Sequence, residues 1–262
     1  ARFGILTPFQ IMQIRNRKIV FEINTEVLKE YLYRSKILYL YIKFTYGLAL
    51  RRACAVCAVT QSIAEEAKKN QAKNVEFFPN SISLLPKQNS TYNGSNTIIF
   101  IGSPGHDWHG ISQIKKLARL LPEYNFLVIG PQGISNETNL IFTGEIYGQR
   151  LEDLLRTSLA GISSMDLGLI GMKEASPLKT RLYLSRGMPV IARYKDSAIP
   201  EDANYFYQFS SSEEVSDSEI TKLREFLDLW QNKRVKNSEL SCIDSKIIEQ
   251  KRINFLLSAC QG

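Results

Sequence analysis

The glycine-rich segment Gly102–Gly110 (GSPGHDWHG) has the composition of a phosphate-binding loop. Its three glycines allow a ligand to approach the backbone closely, and the helix predicted to follow it would offer unpaired N–H groups to an anion. Many glycine-rich loops between a strand and a helix are only tight turns. The loop therefore indicates phosphate binding without establishing it.

A second segment joins a carboxylate to a predicted helix N-terminus. Ser176 is predicted to cap a helix whose first residue is Pro177. The free N–H groups of Leu178 and Lys179 and the positive end of the helix dipole then face the ligand side. Glu174 lies just before this end. Either the dipole merely stabilises it, or it binds sugar hydroxyls beside a diphosphate that the helix holds.

Alternating strands and helices must position these two segments. Apolar β-rich runs alternate with helical patterns, which predicts parallel sheets covered by helices on both faces. The predicted strands are 18–24, 53–60, 74–79, 97–102, 125–130, 139–144, 160–165, 189–193 and 205–209. The predicted helices are 26–33, 37–52, 63–71 (capped by Ser62), 110–121, 149–158, 177–186, 216–230 and 238–259. Ligands bind outside the carboxyl ends of parallel strands, which is where both segments fall.

The predicted domain organisation has four parts. Residues 1–85 form a partial first domain, and the polar, turn-rich residues 86–96 form a linker. Residues 97–235 form a second, nucleotide-binding domain. Residues 236–262 form a C-terminal helix. The chain starts with Ala1 rather than Met, so we expect a C-terminal piece of a longer protein.

The positive charge lies entirely in the first part of the chain. Residues 1–85 carry 13 Lys and Arg against 6 Asp and Glu, whereas residues 86–262 carry 20 of each, and the whole chain has a net charge of +7. This distribution disfavours a uniformly basic nucleic-acid-binding protein. The longest nearly apolar run, Ile37–Leu50, is too short to span a bilayer, and no secretory signal is visible.

Two clusters could bind metal, but both are better interpreted otherwise. Cys54 and Cys57 have Cys-x-x-Cys spacing without a second pair, so we interpret them as core cysteines, and the sparse cysteines indicate a reducing compartment. His106, Asp107 and His109 lack further ligands, which favours a loop or phosphate role.

The stretch Tyr31–Arg52 combines aromatic and basic residues. It contains Tyr31, Tyr33, Tyr39, Tyr41, Phe44, Tyr46, Arg34, Lys36, Lys43, Arg51 and Arg52. It is interpreted either as a core helix with solvated cationic ends or as a membrane-facing surface that reaches a lipid-linked acceptor. Nucleic-acid binding is disfavoured because these residues follow one helical pattern rather than a sheet.

The run Glu174–Ala192 (EASPLKTRLYLSRGMPVIA) resembles the donor-site signature of GT-B glycosyltransferases of the group 4 type, which act in bacterial polysaccharide and lipopolysaccharide synthesis. Other segments are similar to the family's strands and loops: Ile99–Gly110, Phe126–Gly130, Ile141–Ile146, Val75–Ile82 and Val20–Asn24 with Glu26. The resemblance covers residues 18 to 209.

The resemblance implies an α/β protein of two Rossmann-like domains with parallel sheets, the first incomplete, and a nucleotide-sugar in the cleft between them. It makes Glu174 the catalytic-site residue that holds the donor sugar. It assigns the diphosphate to Gly102, Ser103, His109, Ser176, Pro177, Leu178 and Lys179, the nucleobase and ribose to Gly130, Ile146 and Leu182, and the acceptor side to Glu22 and Asn24. It also implies that the final helix crosses back to the first domain. Neither a metal nor a further cofactor is implied.

Two positions depart from the family's pattern in their hydrogen-bonding groups. Leu182 stands where members often have an acidic residue that binds the ribose, and leucine accepts no hydrogen bond. Asn24 stands where many members have a histidine.

The loop Gly102–Gly110 also departs from the family's pattern in its charge. Members often have an arginine and a lysine where this chain has Ser103 or Pro104 and His109. Two phosphates in a cleft favour fixed positive charge. Lys179, Lys173 or a protonated His109 are the candidates to supply it.

The sequence therefore predicts the donor-binding part of a cytoplasmic glycosyltransferase. It would transfer a sugar from a nucleotide-sugar to a glycan or lipid-linked acceptor in surface polysaccharide synthesis, with peripheral membrane contact through the basic part as an option. Alternatives are a degenerate GT-B protein that binds nucleotide, sugar or a protein partner, and a sugar-nucleotide epimerase. Alone, the short chain is expected to bind nucleotide without turnover.

Overall fold

Two separate parallel sheets organise the chain. The computed structural model describes residues 8–13, 18–84, 94–210 and 215–261. The strands are β1 (Val20–Ile23), β2 (Ala55–Ala58), β3 (Val75–Phe77), β4 (Thr97–Ile101), β5 (Asn125–Ile129), β6 (Leu140–Gly144), β7 (Ala160–Ile162), β8 (Val190–Ala192) and β9 (Phe206–Gln208). The helices are α1 (Pro8–Gln13), α2 (Val27–Arg34), α3 (Lys36–Arg52), α4 (Gln61–Lys69), α5 (Ile111–Leu120), α6 (Gly148–Thr157), α7 (Leu178–Ser185), α8 (Asp217–Trp230) and α9 (Ser245–Cys260). The predicted α/β class is confirmed.

The first sheet has the order β1-β2-β3 within the described residues. Every residue of β2 is buried, because this strand lies between two neighbours and is covered on both faces. In β1 the burial alternates: Phe21 and Ile23 point into the core, and Val20 and Glu22 are exposed. Side chains from α3 and α4 complete the core of this sheet.

The second sheet has the order β6-β5-β4-β7-β8-β9. The chain runs outward from β4 to β6 and then returns to the other side of β4 as β7. This reversal between β4 and β7 is a topological switch point, where the loops that follow the two strands separate and leave a crevice. The two candidate segments follow β4 and β7, so the fold places both at this crevice.

Several predicted boundaries are wrong. Thr60, not Ser62, caps α4, because the Thr60 hydroxyl accepts the N–H of Ile63 at 3.3 Å. The predicted helix 238–259 begins only at Ser245, where the Asp244 carboxylate accepts the N–H of Lys246 at 3.0 Å. Two 3₁₀ turns precede it. Most of the predicted linker, residues 86–93, lies outside the described residues.

The C-terminal helix α9 lies against the first sheet. Its Phe255 ring packs 5.5 Å from that of Phe78, and a disulfide joins Cys54 to Cys260, with 5.6 Å between the Cα atoms. The interpretation of Cys54 as a core thiol is therefore wrong, and the disulfide also runs against the reducing compartment that the sparse cysteines indicated. Cys57 is a buried thiol, and burial raises its pKa to about 11.

Helix α3 is only half buried, in contrast to the predicted mostly buried helix. Ile42, Tyr46, Ala49 and Leu50 face the sheet, while the opposite side of the helix is exposed. Side chains of Tyr31, Tyr33 and Arg34 lie outside the described part of the structure. No helix in the described part is long and apolar enough to cross a membrane.

Candidate functional site

The glycine-rich loop after β4 packs directly on the end of β5. A Cβ on Gly130, which has a φ of +101°, would collide with the carbonyl oxygen of Gly102, so only glycine allows this backbone contact. A Cβ on Gly102 would in turn lie 2.7 Å from the rings of His109 and Phe100. The Gly102 N–H donates to the Ile129 carbonyl at 3.1 Å. A phosphate at this loop would therefore need donors other than the Gly102 amide.

His109 lies in the 3₁₀ turn Asp107–His109 that ends this loop, and it is buried. Burial lowers its pKa to about 3, with further lowering by the charge of Lys179 and by His106, against a raising hydrogen bond to the Ser103 backbone. His109 is therefore neutral at physiological pH. Burial therefore disfavours a protonated His109 as the replacement for the missing loop cation.

Lys179 supplies a cation at the crevice from the first turn of α7. Its ammonium nitrogen lies 4.1 Å from the centroid of the Phe100 ring, is buried, and has no hydrogen-bond acceptor among the described residues. Burial lowers the pKa of Lys179 to about 7. By contrast, Lys173 is exposed. Lys179 is thus a desolvated cation with no anion to satisfy it.

Helix α7 begins one residue later than predicted. Pro177 occupies the N-cap position with extended backbone, and the helix starts at Leu178. Ser176 does not cap it. Its hydroxyl oxygen instead accepts the N–H of Asn80 at 3.0 Å and a guanidinium N–H of Arg181 at 2.6 Å. The first-turn N–H groups of α7 thus have no side-chain cap, which leaves them for solvent or a ligand.

A buried ion pair under this segment joins it to the first domain. Arg181 and Asp196 are fully buried and form two hydrogen bonds of 2.6 and 2.9 Å. The Arg181 Nε also donates to the carbonyl of Asn80 at 2.5 Å, and the Asn80 side chain donates to the Ser176 carbonyl at 2.5 Å. Sequence reasoning missed this network. The only signal was that Asn80 lies in a segment that resembles the family's domain end.

Glu174 is buried, and both of its carboxylate oxygens accept hydrogen bonds. One accepts the N–H of Ser62, in the first turn of α4, at 2.6 Å, and the other accepts the hydroxyl of Ser197. The Ser197 oxygen also accepts the N–H of Gln61 at 3.3 Å. The positive end of α4 therefore faces the Glu174 carboxylate across the crevice.

Glu26 meets Glu174 through the same serine. The Ser62 hydroxyl donates to the Glu26 carboxylate at 3.1 Å, and Glu26 also pairs with Lys29. Lys29 in turn donates to the Gly171 carbonyl at 3.0 Å. Burial and the neighbouring Glu26 raise the pKa of Glu66, on the next turn of α4. The first domain thus brings a carboxylate to the crevice opposite the one from the second domain.

Comparison with known proteins identifies the fold. No protein-family model and no curated protein matches this sequence. Solved structures do match. The structure of Anabaena HepE in complex with UDP-glucose matches with a TM-score of 0.67 and 13% sequence identity, and the alignment covers 96% of this chain and 77% of the HepE chain. The structure of the pneumococcal O-GlcNAc transferase GtfA with UDP and GlcNAc matches with a TM-score of 0.62 and 14% sequence identity. That alignment covers 96% of this chain and 54% of the GtfA chain. A sucrose-phosphate synthase from Thermosynechococcus elongatus matches with a TM-score of 0.67 and 13% sequence identity, and the alignment covers 96% of this chain and 70% of the synthase chain.

The fold of this chain is GT-B. The GT-B chain spans about half the length of the GtfA structures that it matches. Its two parallel sheets, of three and six strands in the described residues, correspond to a partial first Rossmann-like domain and a second one. The chain is structurally similar to nucleotide-sugar glycosyltransferases, as the sequence resemblance implied.

The other predicted site residues of the GT-B chain fall in different surroundings. Glu22 is exposed on β1 and lies 3.4 Å from Arg252 of α9, and Asn24 is exposed just beyond β1. Ile146 is buried after β6. Leu182 packs against the main core and offers no hydrogen-bonding group. Of the acceptor-side glutamates, Glu26 rather than Glu22 approaches Glu174.

Proposed function

We propose that this chain is the donor-binding part of a glycosyltransferase that takes its sugar from a nucleoside-diphosphate sugar. The acceptor hydroxyl attacks the anomeric carbon, and the new C–O bond replaces the bond to the diphosphate oxygen. The diphosphate leaves with the electron pair and takes up the hydroxyl proton. The acceptor is proposed to be a glycan or lipid-linked saccharide of surface polysaccharide synthesis. The GT-B fold supports the reaction class.

The observation that carries this proposal is the buried, unpaired ammonium of Lys179. A charged lysine without an anion is unfavourable in an apolar site, as its pKa of about 7 shows. It lies in the first turn of α7, whose N–H groups and dipole also favour an anion. A diphosphate would satisfy all of these groups at once, and Lys179 would then take the place of the missing loop cations.

Glu174 is the proposed contact to the donor sugar. Its carboxylate lies at the same crevice and accepts hydrogen bonds from Ser62 and Ser197. Each carboxylate oxygen has a further lone pair that a sugar hydroxyl can use. Glu174 would stabilise the bound sugar, while Lys179 and α7 would stabilise charge on the leaving diphosphate.

A specific observation favours the second candidate, a degenerate GT-B protein without catalysis. Leu182 removes the expected ribose contact, and Glu174 is already held by the first domain through Ser62. Such a protein would bind no nucleotide at this crevice, or would bind it without sugar transfer.

Calorimetric titration of the folded chain with UDP, GDP and ADP tests the proposed donor site, and it separates the transferase from a degenerate protein that binds no nucleotide. We expect at least one nucleotide to bind, and Lys179→Ala to weaken it at least tenfold, because a hydrogen-bonded charge is lost. The matched control, Lys173→Ala, removes an exposed lysine of the same segment and should leave the affinity within twofold.

The nucleotide affinity should depend on pH in a defined direction. Lys179 is protonated below its pKa of about 7, so the affinity should rise as the pH falls from 8.5 to 6.5, and this rise should vanish in Lys179→Ala. Failure of all three nucleotides to bind would favour the degenerate protein. A nucleotide affinity that is unchanged in Lys179→Ala would show that the diphosphate does not bind at α7.

A further inference from the structure

We propose that the outer face of α3, extended by α1, binds the surface of an anionic lipid bilayer. The outer face consists of Ile37, Leu40, Tyr41 and Phe44. These residues follow the spacing i, i+3, i+4, i+7, so they line one side of the helix. The proposal stands apart from the transferase reaction, because lipid binding needs neither donor nor acceptor.

The outer face is apolar and open to solvent. Ile37, Leu40 and Phe44 are 84, 65 and 66% exposed, and Tyr41 is also exposed. Folded proteins seldom expose several large apolar side chains side by side unless the surface contacts a partner or a membrane. Helix α3 is anchored to the first sheet by the opposite row, which includes Ile42 and Tyr46.

The helices that pack against α3 also expose apolar side chains. Helix α1 exposes Phe9 and Met12, and α2 exposes Leu32. Exposed apolar side chains of this kind suit the interfacial region of a bilayer, where they enter between headgroups.

The charge of these helices selects anionic lipid. Neither α1 nor α3 contains an aspartate or glutamate, whereas α2 contains Glu30. Helix α3 carries Lys36, Lys43, Arg51 and Arg52. At 100° per residue, Arg51 and Arg52 extend the outer face toward the C-terminal end, and the two lysines lie beyond one edge of it. A second copy of this chain would bring like charges together, so charge complementarity favours anionic headgroups over a dimer.

Helix α2 links α3 to the second domain. It packs against α3, and its Lys29 donates to the carbonyl of Gly171, in the loop before Glu174.

Co-sedimentation with lipid vesicles tests the proposal. The probes are vesicles of phosphatidylcholine alone and of equal parts phosphatidylcholine and phosphatidylglycerol. We expect binding to the anionic vesicles that weakens with added salt, and at least tenfold weaker binding to the neutral ones. Equal binding to both, or binding to neither, would overturn the proposal.

Paired variants separate the two contributions. Leu40→Ser with Phe44→Ser should weaken binding at least tenfold, through the loss of apolar area. Lys36→Gln with Lys43→Gln should weaken it about 25-fold, at about fivefold for each lysine near the surface. Both pairs change exposed residues, so circular dichroism spectra and urea midpoints should match those of the parent chain.

Control variants change the same residue types away from the outer face, on the second domain and on α9. Ile134→Ser removes an exposed apolar side chain, and Lys222→Gln with Lys246→Gln removes two exposed lysines. All should bind vesicles like the parent. Equal loss in these controls would show nonspecific adsorption. A stable dimer in sedimentation velocity that Leu40→Ser with Phe44→Ser dissociates would assign the face to a second copy and refute the proposal.

Discussion

Replacing Lys179 with methionine should make this protein more stable while it weakens nucleotide binding. Methionine keeps the length of the side chain and its contact with the Phe100 ring, but it removes an ammonium that has no hydrogen-bond acceptor in the described part of the structure. The unfolded chain solvates that ammonium and the folded chain does not. The free energy of unfolding should therefore increase.

The magnitude follows from the pKa. At about 1.4 kcal/mol for each pH unit, a pKa of about 7 instead of 10.5 means that the fold disfavours the charged lysine by about 5 kcal/mol. Residual contact with solvent and relaxation of the site reduce this amount, so we expect a gain of about 1 to 4 kcal/mol at pH 7.

The stability difference between Lys179→Met and the parent protein should depend on pH, which a change in packing alone would not produce. Between pH 7 and 10.5 the unfolded chain holds the lysine proton and the folded chain does not, so the stability of the parent protein rises with pH across this window. Lys179→Met lacks this rise. Its advantage should shrink by up to about 2.5 kcal/mol between pH 7 and pH 9.

Urea unfolding followed by tryptophan fluorescence measures this difference, because both tryptophans, Trp108 and Trp230, lie in the second domain. Lys173→Met is the matched control, since Lys173 is exposed, and it should change the stability by less than about 0.5 kcal/mol. If Lys179→Met is no more stable than the parent at pH 7, or if its advantage is the same at both pH values, the ammonium is not desolvated and the reasoning fails.

Three further outcomes are expected. Glu174→Ala should remove any difference in affinity between a nucleotide-sugar and its nucleoside diphosphate, measured by calorimetry; a difference that persists would place the sugar elsewhere. Arg181→Leu should cost about 3 to 5 kcal/mol in urea unfolding, and Arg181→Leu with Asp196→Leu should cost much less, since no unpaired charge stays buried; equal costs would contradict this account. Thiol titration of the denatured chain should find two thiols before reduction and four after it, and Cys54→Ser should lower the melting temperature; four thiols throughout would exclude the disulfide.

The sequence predicted the sheets and the loops at their ends because those features depend on local patterns. Apolar runs and helical periodicity are short-range signals, and the parallel order places the loops after β4 and β7 at one edge. Lys179 was among the predicted cations on the same basis. Whether it or His109 carries charge depends on burial, which only the packed structure shows.

Features that depend on distant contacts were not predictable. Arg181 and Asp196 lie 15 residues apart, and the hydrogen bond from Arg181 to the Asn80 carbonyl exists only once the two domains meet. The sequence did not distinguish the buried side of α3 from its exposed side. Apolar residues occur on both sides of the helix, so the pattern gives no boundary between the buried and exposed rows.

The bond between Cys54 and Cys260 turns most of the polypeptide into a covalent ring, since the two cysteines are 206 residues apart. A protease that cuts once between them would open the ring without releasing a fragment. The nicked protein would keep its mass on a nonreducing gel and would separate into two pieces only after reduction. The end of α9 is thereby retained beside the first sheet even after a peptide bond between the domains is lost.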